Sequence, residues 1–313
     1  MKKFKLLALA LGLMTLTFAS CGEEEKEKQD VIVSILKNGS IDYWKQVTKG
    51  IEEECASKGL GTVFFYTNTD ADLLNQRVLT SGIEKLESDY NIKGVIIAPI
   101  FTDNDHSVEQ ALADYVGSDI PVVVIDSPID EDDSPLKNIY KAYVGTDNEA
   151  AGEELAKKIT NKGDILVARI EASIPTKARI EGFEKGTDNE IEYWDANDSE
   201  RPSAMEEQLK KYPAINDVVF LNGNLCKSVF NSSTLQKKNV YTFDAYEEFI
   251  ISLQDGGCIK GIMAQNTFEM GRKAVSSLFD YIKNKNIYIP TIYITKDNLK
   301  SSDVKPFMDY FGL

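Results

Sequence analysis

The sequence predicts an α/β protein made of two doubly wound parallel-sheet lobes, and three observations lead to this fold class. Short apolar runs rich in β-branched residues alternate with helical segments from Val31 onwards. The runs are apolar at successive positions, which is typical of parallel strands covered by helices on both faces. They are also too numerous for one open sheet, so two lobes that divide near Thr146 and Asp147 explain them better.

The first lobe is predicted from an alternation that ends at Thr146. A helix follows the first strand, because Val47, Ile51 and Cys55 recur at helical spacing. Further helices are expected near residues 73–86 and 108–116. A loop rich in Asp, Pro and Ser interrupts the alternation of strands and helices before the fifth strand. The five predicted strands are VIVSIL, TVFFYT, GVIIAPI, PVVVID and YKAYVGT.

The second lobe is predicted because the same alternation restarts after Asp147. Its strands are DILVARI, EIEYWDA, DVVFLNG, VYTFDA and CIKGIMA. Its helices are expected over residues 149–159, 177–185, 205–211, 227–235, 247–253 and 268–283. No short tandem repeat is visible, so any duplication is one of architecture.

Residues 1–20 have the pattern of a secretory signal peptide. Three lysines precede an apolar stretch that is too short to span a bilayer comfortably. Small residues then lead to Cys21, and FASC resembles the lipobox of bacterial lipoproteins, in which the cysteine is lipidated and becomes the mature N-terminus. Phe18 stands where leucine is usual. Ordinary secretion with an incidental cysteine is the alternative.

The chain is acidic, with a formal charge of −15 and a pI of about 4.7. Residues 1–20 hold three of the 35 basic residues and none of the 50 acidic ones, so the mature chain carries −18. Such a balance argues against nucleic acid and anionic lipid as partners. Residues 21–30 are interpreted as a solvated tether. Their acidic run also resembles the surface-export signal of Bacteroidetes lipoproteins, which leaves the periplasmic face and the cell surface both open.

The sequence contains few of the residues and motifs that enzyme catalysis requires. His106 is the only histidine, which disfavours Ser–His–Asp and Cys–His catalysis. Metal-binding His/Cys spacings and a dinucleotide fingerprint are absent. We therefore expect no catalytic residue, no metal and no cofactor. Cys226 and Cys258 could pair in an oxidising compartment, but small buried hydrophobes are the favoured interpretation.

Polar and aromatic side chains collect in the loops that follow the predicted strands. Ligands of open α/β sheets bind outside the carboxyl ends of the strands, and two facing lobes would bring these loops to one cleft. Carboxylates, amides and a guanidinium can bind adjacent hydroxyls, and aromatic faces suit the C–H face of a sugar ring. The pattern predicts a neutral polyhydroxylated ligand. The residues are Tyr43, Trp44, Asp126, Ser127, Lys177, Arg179, Asn222, Gly223, Asn224, Asp244, Gln265 and Asn266.

Most of these residues also have a purely structural interpretation. Tyr43 and Trp44 could simply begin the buried stripe of their helix. Asp126 and Asp244 could cap a turn and a helix, and Arg179 could be an exposed helix charge. Their shared position at strand ends favours the ligand-binding interpretation.

Six stretches of the sequence carry a joint signal through their order and spacing. They are SIDYWKQVTKGIEEECASKG, IPVVVIDSP, VGTDNEAAGEELAKKI, TKARIEGFEKG, VYTFDA and IMAQNTFEMGRKAV. Together they resemble the type I periplasmic sugar-binding proteins, the ribose- and galactose-binding group, which shares its core with lac-repressor-like regulators.

The resemblance covers about residues 31–294 and implies three chain crossings between the lobes, near Asp147, Gln265 and Ile289, which form a hinge. It implies an N-terminal lobe of residues 31–146 plus 266–289 and a C-terminal lobe of 147–265 plus 290–313.

The resemblance also implies a ligand-binding set. Its members are the paired aromatics Tyr43 and Trp44, the acid Asp126, Arg179 before EGF, an asparagine at Asn222 or Asn224, and the late pair Asp244 and Gln265. Three departures bear on which sugar is bound. Ser127 stands where many ribose-type members have arginine, Ile41 replaces a frequent polar contact, and LNGN replaces the commoner Asn-Asp arrangement.

The expected function is that of a lipid-anchored, monomeric solute-binding protein of the bacterial cell envelope. It would capture a small polyhydroxylated ligand, a polyol or, as the favoured choice, a monosaccharide, by lobe closure and deliver it to an ABC permease. A sensor that presents a sugar or small signal molecule to a membrane receptor or histidine kinase is the alternative. A carbohydrate-active enzyme is a remote one. A transcription regulator is disfavoured, since a signal peptide and Cys21 stand where a helix-turn-helix would be.

Overall fold

The structure is a computed structural model that describes residues 27–100, 105–117, 119–129, 133–170, 174–196 and 201–313. The predicted signal peptide, the lipidation site Cys21 and most of the tether lie outside the described residues. Among the described helices, none combines the length and apolarity that a bilayer crossing requires.

The first part of the chain forms five parallel strands in the order β5-β4-β3-β1-β2. Residues 31–36 of the first strand and all of the fourth are buried, as predicted for strands covered on both faces. The strands are β1 (Gln29–Leu36), β2 (Gly61–Tyr66), β3 (Tyr90–Ile97), β4 (Val122–Ile125) and β5 (Ala142–Gly145). The helices between them are α1 (Asp42–Ser57), α2 (Leu73–Ser81) and α3 (Ser107–Val116).

The next part repeats this architecture in a second sheet with the order β10-β9-β8-β6-β7. Its strand order equals that of the first sheet when β6 is matched to β1, so the duplication is architectural, and β9 is equivalent to β4. The strands are β6 (Ile165–Arg169), β7 (Ile191–Asp195), β8 (Asp217–Phe220), β9 (Asn239–Phe243) and β10 (Ile259–Ala264). The helices are α4 (Asn148–Lys158), α5 (Ile174–Gly186), α6 (Arg201–Lys211), α7 (Gly223–Val229) and α8 (Glu247–Asp255).

The chain passes between the two sheets three times. It crosses first after β5 and again after β10, where α9 (Thr267–Phe279) leads back to β11 (Lys285–Tyr288), parallel to β5. It then crosses to β12 (Ile292–Ile294), antiparallel to β10, and continues into α10 (Lys305–Phe311). The predicted fold class of two parallel-sheet lobes with three connections is confirmed, whereas the residue bounds of the lobes stay a prediction. We call the halves built on the two sheets the first and second lobes.

Glycines bring two pairs of helices into close contact. A Cβ atom at Gly271 of α9 would lie 2.2 Å from the carbonyl oxygen of Val47 in α1. A Cβ atom at Gly182 of α5 would lie 1.8 Å from the carbonyl oxygen of Glu149 in α4. Both distances are far below any real contact, so these helices pack through their backbones. The α4–α5 contact includes the backbone of the candidate site residue Arg179, because a Cβ atom at Gly152 of α4 would lie 2.1 Å from the Arg179 carbonyl oxygen.

Some predicted helix boundaries were wrong. The helix expected over residues 227–235 is α7, which begins at Gly223 and ends at Val229. Asn222 starts it early, because its Oδ1 accepts a hydrogen bond of 3.0 Å from the backbone N–H of Leu225. Residues 235–237 form a separate 3₁₀ turn. The predicted helix 73–86 is split between α2 and a 3₁₀ helix over Ile83–Ser88, and α9 ends at Phe279 rather than at residue 283.

The cysteines within the described residues are free thiols in the protein interior. Cys226 and Cys258 are unpaired and nearly fully buried among apolar side chains of the second lobe. The favoured interpretation of both as small buried hydrophobes is confirmed.

Candidate functional site

Two aspartates occupy equivalent places in the two lobes. Asp126 follows β4 and Asp244 follows β9. Their φ angles are 65° and 62°, in the left-handed region that few residues other than glycine adopt and that aspartate and asparagine tolerate best. The two carboxylates interact electrostatically with each other and with Tyr43. The architecture therefore places one acid from each lobe at the same site.

Asp126 is held by three side chains of the first lobe. Its Oδ2 accepts hydrogen bonds from Lys37 Nζ at 2.8 Å and Ser127 Oγ at 2.9 Å, and its Oδ1 accepts one from the Tyr43 hydroxyl at 2.7 Å. Burial works against ionisation, but the Lys37 cation and these hydrogen bonds together hold the pKa of Asp126 below its usual value. Asp126 is therefore ionised in the folded protein at neutral pH.

Tyr43 and Trp44 begin the buried stripe of α1 and carry polar groups towards the site. They are 9% and 2% exposed, and their rings meet edge-on with centroids 5.0 Å apart. Trp44 Nε1 donates a hydrogen bond of 3.1 Å to Asp70 Oδ1. Burial is the main cause that raises the pKa of Tyr43, so its hydroxyl stays protonated and donates to Asp126. Both residues thus belong to the core, and their polar atoms contact site acids.

Arg179 is a buried cation of the second lobe rather than an exposed helix charge. It is 4% exposed, and its guanidinium lies 4.1 Å from the ring centroid of Phe243. Its Nε donates to Asn148 Oδ1 at 2.8 Å, and its Nη1 donates to the carbonyl oxygen of Leu221 at 2.8 Å. A guanidinium has five N–H donors, and acceptors among the described residues engage two of those of Arg179.

Asp244 and Gln265 form a second-lobe pair. Gln265 Nε2 donates to Asp244 Oδ1 at 2.6 Å, and Gln265 Oε1 accepts a hydrogen bond from Thr146 Oγ1 at 2.7 Å. The backbone N–H of Gly223 donates to Asp244 Oδ2 at 3.1 Å. Burial raises the pKa of Asp244 above its usual value, although Arg179 and these hydrogen bonds work in the opposite direction.

The two asparagines of the LNGN segment have different roles. Asn222 is occupied as the cap of α7. Asn224 Nδ2 lies 3.4 Å from Asp70 Oδ2 of the first lobe, and Asn224 Oδ1 accepts a hydrogen bond of 2.6 Å from the Tyr246 hydroxyl. Of the two, Asn224 is therefore the one whose side chain reaches the facing lobe.

Lys37, Asp70 and Tyr246 also contact residues of the site and were not predicted from the sequence. Asp70 lies in the loop after β2, so the strand-end rule that predicted Asp126 also applies to it. Lys37 directly follows Leu36, the last residue of β1, so the same rule applies. Nothing in the spacing distinguishes Tyr246 from an ordinary buried aromatic. Lys177, proposed alongside Arg179, is exposed on α5.

The space between these residues is small in this conformation. A cavity of about 10 Å³ lies beside Tyr43, Asp244 and Gln265, which is room for about one water molecule. Pockets for small organic ligands measure ~300–1,000 Å³. In this conformation the cavity beside Tyr43, Asp244 and Gln265 therefore has no room for a ligand larger than water.

A family model described as "Periplasmic binding protein domain" matches residues 32–286, most of the chain. The chain belongs to the periplasmic binding protein family. This match confirms the predicted resemblance, and it also confirms the expectation that the chain is no enzyme, because members of this family are solute-binding proteins.

Similar proteins agree with this membership along nearly their whole length. The D-allose-binding periplasmic protein of Escherichia coli K12 is 25% identical over 297 residues, which cover 88% of this chain and 90% of the relative. A solute-binding protein of an ABC transporter from Agrobacterium vitis, bound with α-D-tagatopyranose, has a TM-score of 0.72 at 19% identity and covers 88% and 98% of the two chains. Another from the same organism, with bound D-fucose, has a TM-score of 0.68 at 21% identity with the same coverage. These two structures show the shared fold.

Proposed function

We propose that this protein is a lipid-anchored, extracytoplasmic solute-binding protein that captures a monosaccharide between its lobes for uptake by an ABC permease. One observation carries the proposal: equivalent strand ends of the two lobes bring Asp126 and Asp244 to one buried site, with hydrogen-bond donors beside them. Relatives that bind D-allose, D-fucose and D-tagatose support a sugar as the ligand class.

The chemistry of the site suits a neutral polyhydroxylated ligand. Asp126 and Asp244 accept hydrogen bonds from hydroxyls, and Arg179 and Asn224 donate to hydroxyl oxygens. Tyr43 and Trp44 supply aromatic surface for the C–H face of a sugar ring. A buried group left without its hydroxyl partner costs ~1–3 kcal/mol. Hydroxyl stereochemistry should therefore decide which sugar binds.

Lobe closure is the proposed binding step. In the described conformation Asp70 and Asn224 connect the lobes directly. The three chain connections after Gly145, after Ala264 and between Tyr288 and Ile292 would act as the hinge. A ligand shifts the protein towards the closed state only through contacts that the open state lacks. Contacts from Asp126 in one lobe and Asp244 in the other meet that condition.

Anchoring through Cys21 is proposed from the lipobox resemblance, since this part of the chain lies outside the described residues. β1 begins at Gln29, so eight residues, 21–28, would separate the lipid from the folded body. A flexible segment of that length spans ~15 Å. In cell fractionation we expect Cys21→Ser to move the protein from the membrane to the soluble fraction. A variant that remains with the membrane would exclude lipid anchoring at this residue.

The test of the binding function is thermal unfolding of the protein with a panel of pentoses, hexoses, polyols and short oligosaccharides that includes D-allose, D-fucose and D-tagatose. A ligand present at 100 times its Kd stabilises the native state by ~2.7 kcal/mol. We expect a rise in Tm with at least one monosaccharide and a smaller or absent rise with its epimers. No rise with any sugar at millimolar concentration would contradict the proposal.

A further inference from the structure

Asn148 is a buried amide at the point where the chain first enters the second lobe. It is the first residue of α4 and is 9% exposed. Its Oδ1 accepts a hydrogen bond of 2.8 Å from Arg179 Nε, and its Nδ2 donates one of 3.1 Å to the carbonyl oxygen of Thr146. The cap of α4 is Asp147, whose Oδ1 accepts from the backbone N–H of Ala150. The Asn148 side chain therefore links Arg179 to the first connection between the lobes.

Thr146 extends this link to the second connection between the lobes. Thr146 follows β5, and Gln265 follows β10. Thr146 Oγ1 donates a hydrogen bond of 2.7 Å to Gln265 Oε1, and Gln265 Nε2 donates one of 2.6 Å to Asp244 Oδ1. A hydrogen-bond path thus joins two charged residues of the proposed site and passes through both connections. In order, its members are Arg179, Asn148, Thr146, Gln265 and Asp244.

At one end, the path sets the orientation of the Arg179 guanidinium. The backbone of Arg179 is held by the α4–α5 contact, since a Cβ atom at Gly152 would lie 2.1 Å from its carbonyl oxygen. Asn148 holds Nε, and the carbonyl oxygen of Leu221 holds Nη1. A guanidinium is a rigid plane, so bonds at two of its nitrogens fix its direction. Without Asn148, the plane could rotate about the remaining bond while it stays on the Phe243 ring.

At the other end, the path sets the orientation of the Gln265 amide. Ionised Asp244 can only accept hydrogen bonds, so the amide must turn its Nε2 towards the carboxylate. Its Oε1 then points at Thr146, whose hydroxyl supplies the donor. Gln265 is 6% exposed, and a buried amide oxygen without a donor is unfavourable. The Thr146 hydroxyl therefore favours the amide orientation that supports Asp244.

We propose that Asn148 and Thr146 are positioning residues for ligand binding, which hold Arg179 and Asp244 in the orientations that one sugar requires. Arg179 then presents N–H donors and Asp244 a carboxylate oxygen to the same ligand. Asn148 acts through Arg179, and Thr146 acts through Gln265, without touching the sugar. The inference rests on the proposed sugar-binding function and deepens it, because it ties the two charged groups of the second lobe to the connections about which the lobes would close.

A purely structural role for Asn148 makes a different prediction. If Asn148 only stabilises the start of α4, its loss changes binding by the same factor whichever residue occupies position 179. If it positions Arg179, its loss has little effect once the Nε donor is gone. Arg179→Lys keeps the positive charge but removes that donor. A double-mutant cycle between Asn148→Ala and Arg179→Lys therefore separates the two roles.

Thr146 provides a second test that does not involve Arg179. Thr146→Val keeps the shape of the side chain and removes the hydroxyl. Thr146→Ser keeps the hydroxyl and removes a methyl group. If Thr146 matters only for packing, serine should weaken binding more than valine does. If it positions Gln265, valine should weaken binding and serine should restore it.

The experiment is isothermal titration calorimetry of the full-length protein with D-allose, D-fucose and D-tagatose, and with any other panel sugar that stabilises the wild type more. Asn239→Ala is the matched control. Asn239 begins β9, at the end of the strand opposite Asp244, and its Nδ2 donates a hydrogen bond of 2.9 Å to Asp217 Oδ1. Circular dichroism checks that each variant folds. If Asn148→Ala does not fold, or Arg179→Lys binds no sugar, the comparison of Thr146→Val with Thr146→Ser decides.

We expect Asn148→Ala and Thr146→Val each to weaken binding ~10-fold, as for the loss of one hydrogen bond in a buried site. Thr146→Ser and Asn239→Ala should bind within about twofold of the wild type, and Asn148→Ala should change binding by less than about twofold in the Arg179→Lys background.

Three results would overturn the inference and leave the sugar-binding function intact. They are unchanged binding in Asn148→Ala, an equal loss from Asn148→Ala in both backgrounds, and a greater loss in Thr146→Ser than in Thr146→Val. A wild-type protein that binds none of the three sugars and shows no response across the wider panel would overturn the proposed function and this inference together.

Discussion

Asp126 and Asp244 occupy equivalent positions, but their surroundings move their pKa values in opposite directions. The Lys37 cation and three side-chain hydrogen bonds more than offset burial at Asp126, whereas burial prevails at Asp244. A depressed folded-state pKa adds stability above the unfolded-state value of ~3.9, and this stability is lost as pH falls through the folded-state pKa. A raised folded-state pKa does the reverse, so stability is lost as pH rises from ~3.9 through the folded-state pKa.

Asparagine substitutions should reveal the opposite directions of the two pKa shifts. Asparagine tolerates the left-handed backbone of both positions, so each variant changes mainly the charge. The stability deficit of Asp126→Asn relative to the wild type should shrink as pH falls below ~4. Asp244→Asn should gain stability relative to the wild type as pH rises above ~4. Urea unfolding at a series of pH values measures both, and equal pH dependences of the two variants would show that the two environments are not distinct.

At this scale the sequence predicted which residues meet but not what each one does. The described hydrogen bonds of these residues form three groups: Tyr43 with Asp126, Trp44 and Asn224 with Asp70, and Arg179, through Asn148 and Thr146, with Gln265 and Asp244. Their strand-end positions were visible as a pattern. That Asn222 caps α7 and that Lys37 neutralises Asp126 depends on side-chain directions that spacing alone does not encode.

The helices position the site through their glycine contacts. Gly182 lies almost one turn after Arg179 on α5, and its Cα faces the backbone of α4. Alanine is intrinsically better than glycine in a helix by ~1 kcal/mol. At this position a Cβ would overlap the carbonyl oxygen of Glu149, so the helices would have to move apart.

We expect Gly182→Ala to destabilise the protein by ~1–3 kcal/mol, the usual cost of overpacking, and to weaken sugar binding by displacing Arg179. Chemical denaturation and calorimetric titration measure the two effects. Glu181→Ala is the matched control, because Glu181 is the preceding residue of α5 and is exposed. If Gly182→Ala behaves like the control, the α4–α5 contact does not position the site.

The order of the helices and strands could be predicted from the sequence, but several of their boundaries could not. The sequence predicted all ten strands up to β10, and the signal was clearest for central strands such as β4 and β8, whose residues are all buried. α7 was displaced by four residues at its start because its beginning depends on a capping bond at Asn222 rather than on apolar periodicity. β11 and β12 are short strands at sheet edges, where the apolar signal is weak.

If the lobes close as proposed, direct contacts between their facing loops should help set the balance between open and closed states. The Asp70–Asn224 contact joins the lobes on the side of α2 and α7. Asn224→Ala removes this contact and also leaves the Tyr246 hydroxyl without its acceptor. We expect small-angle X-ray scattering of the ligand-free variant to give a larger radius of gyration than the wild type, because the balance between open and closed states shifts towards open.

Asn222→Ala provides the control for this shift. It removes the cap of α7 and should cost ~1 kcal/mol of stability without changing the radius of gyration. An unchanged radius in Asn224→Ala, or an equal increase in both variants, would mean that the Asp70–Asn224 contact does not hold the lobes together.

The central claim is that one ligand is bound by acids from both lobes at once. The most direct measurement is isothermal titration calorimetry of the wild type, Asp126→Asn and Asp244→Asn with the monosaccharide that stabilises the protein most. Each substitution removes one charged acceptor from a different lobe, and each should weaken binding at least ~10-fold, because a hydrogen bond to a charged group contributes ~1.5–3 kcal/mol. Binding that persists undiminished in either variant would show that the ligand contacts one lobe without the other, and the account of a shared site between the lobes would be wrong.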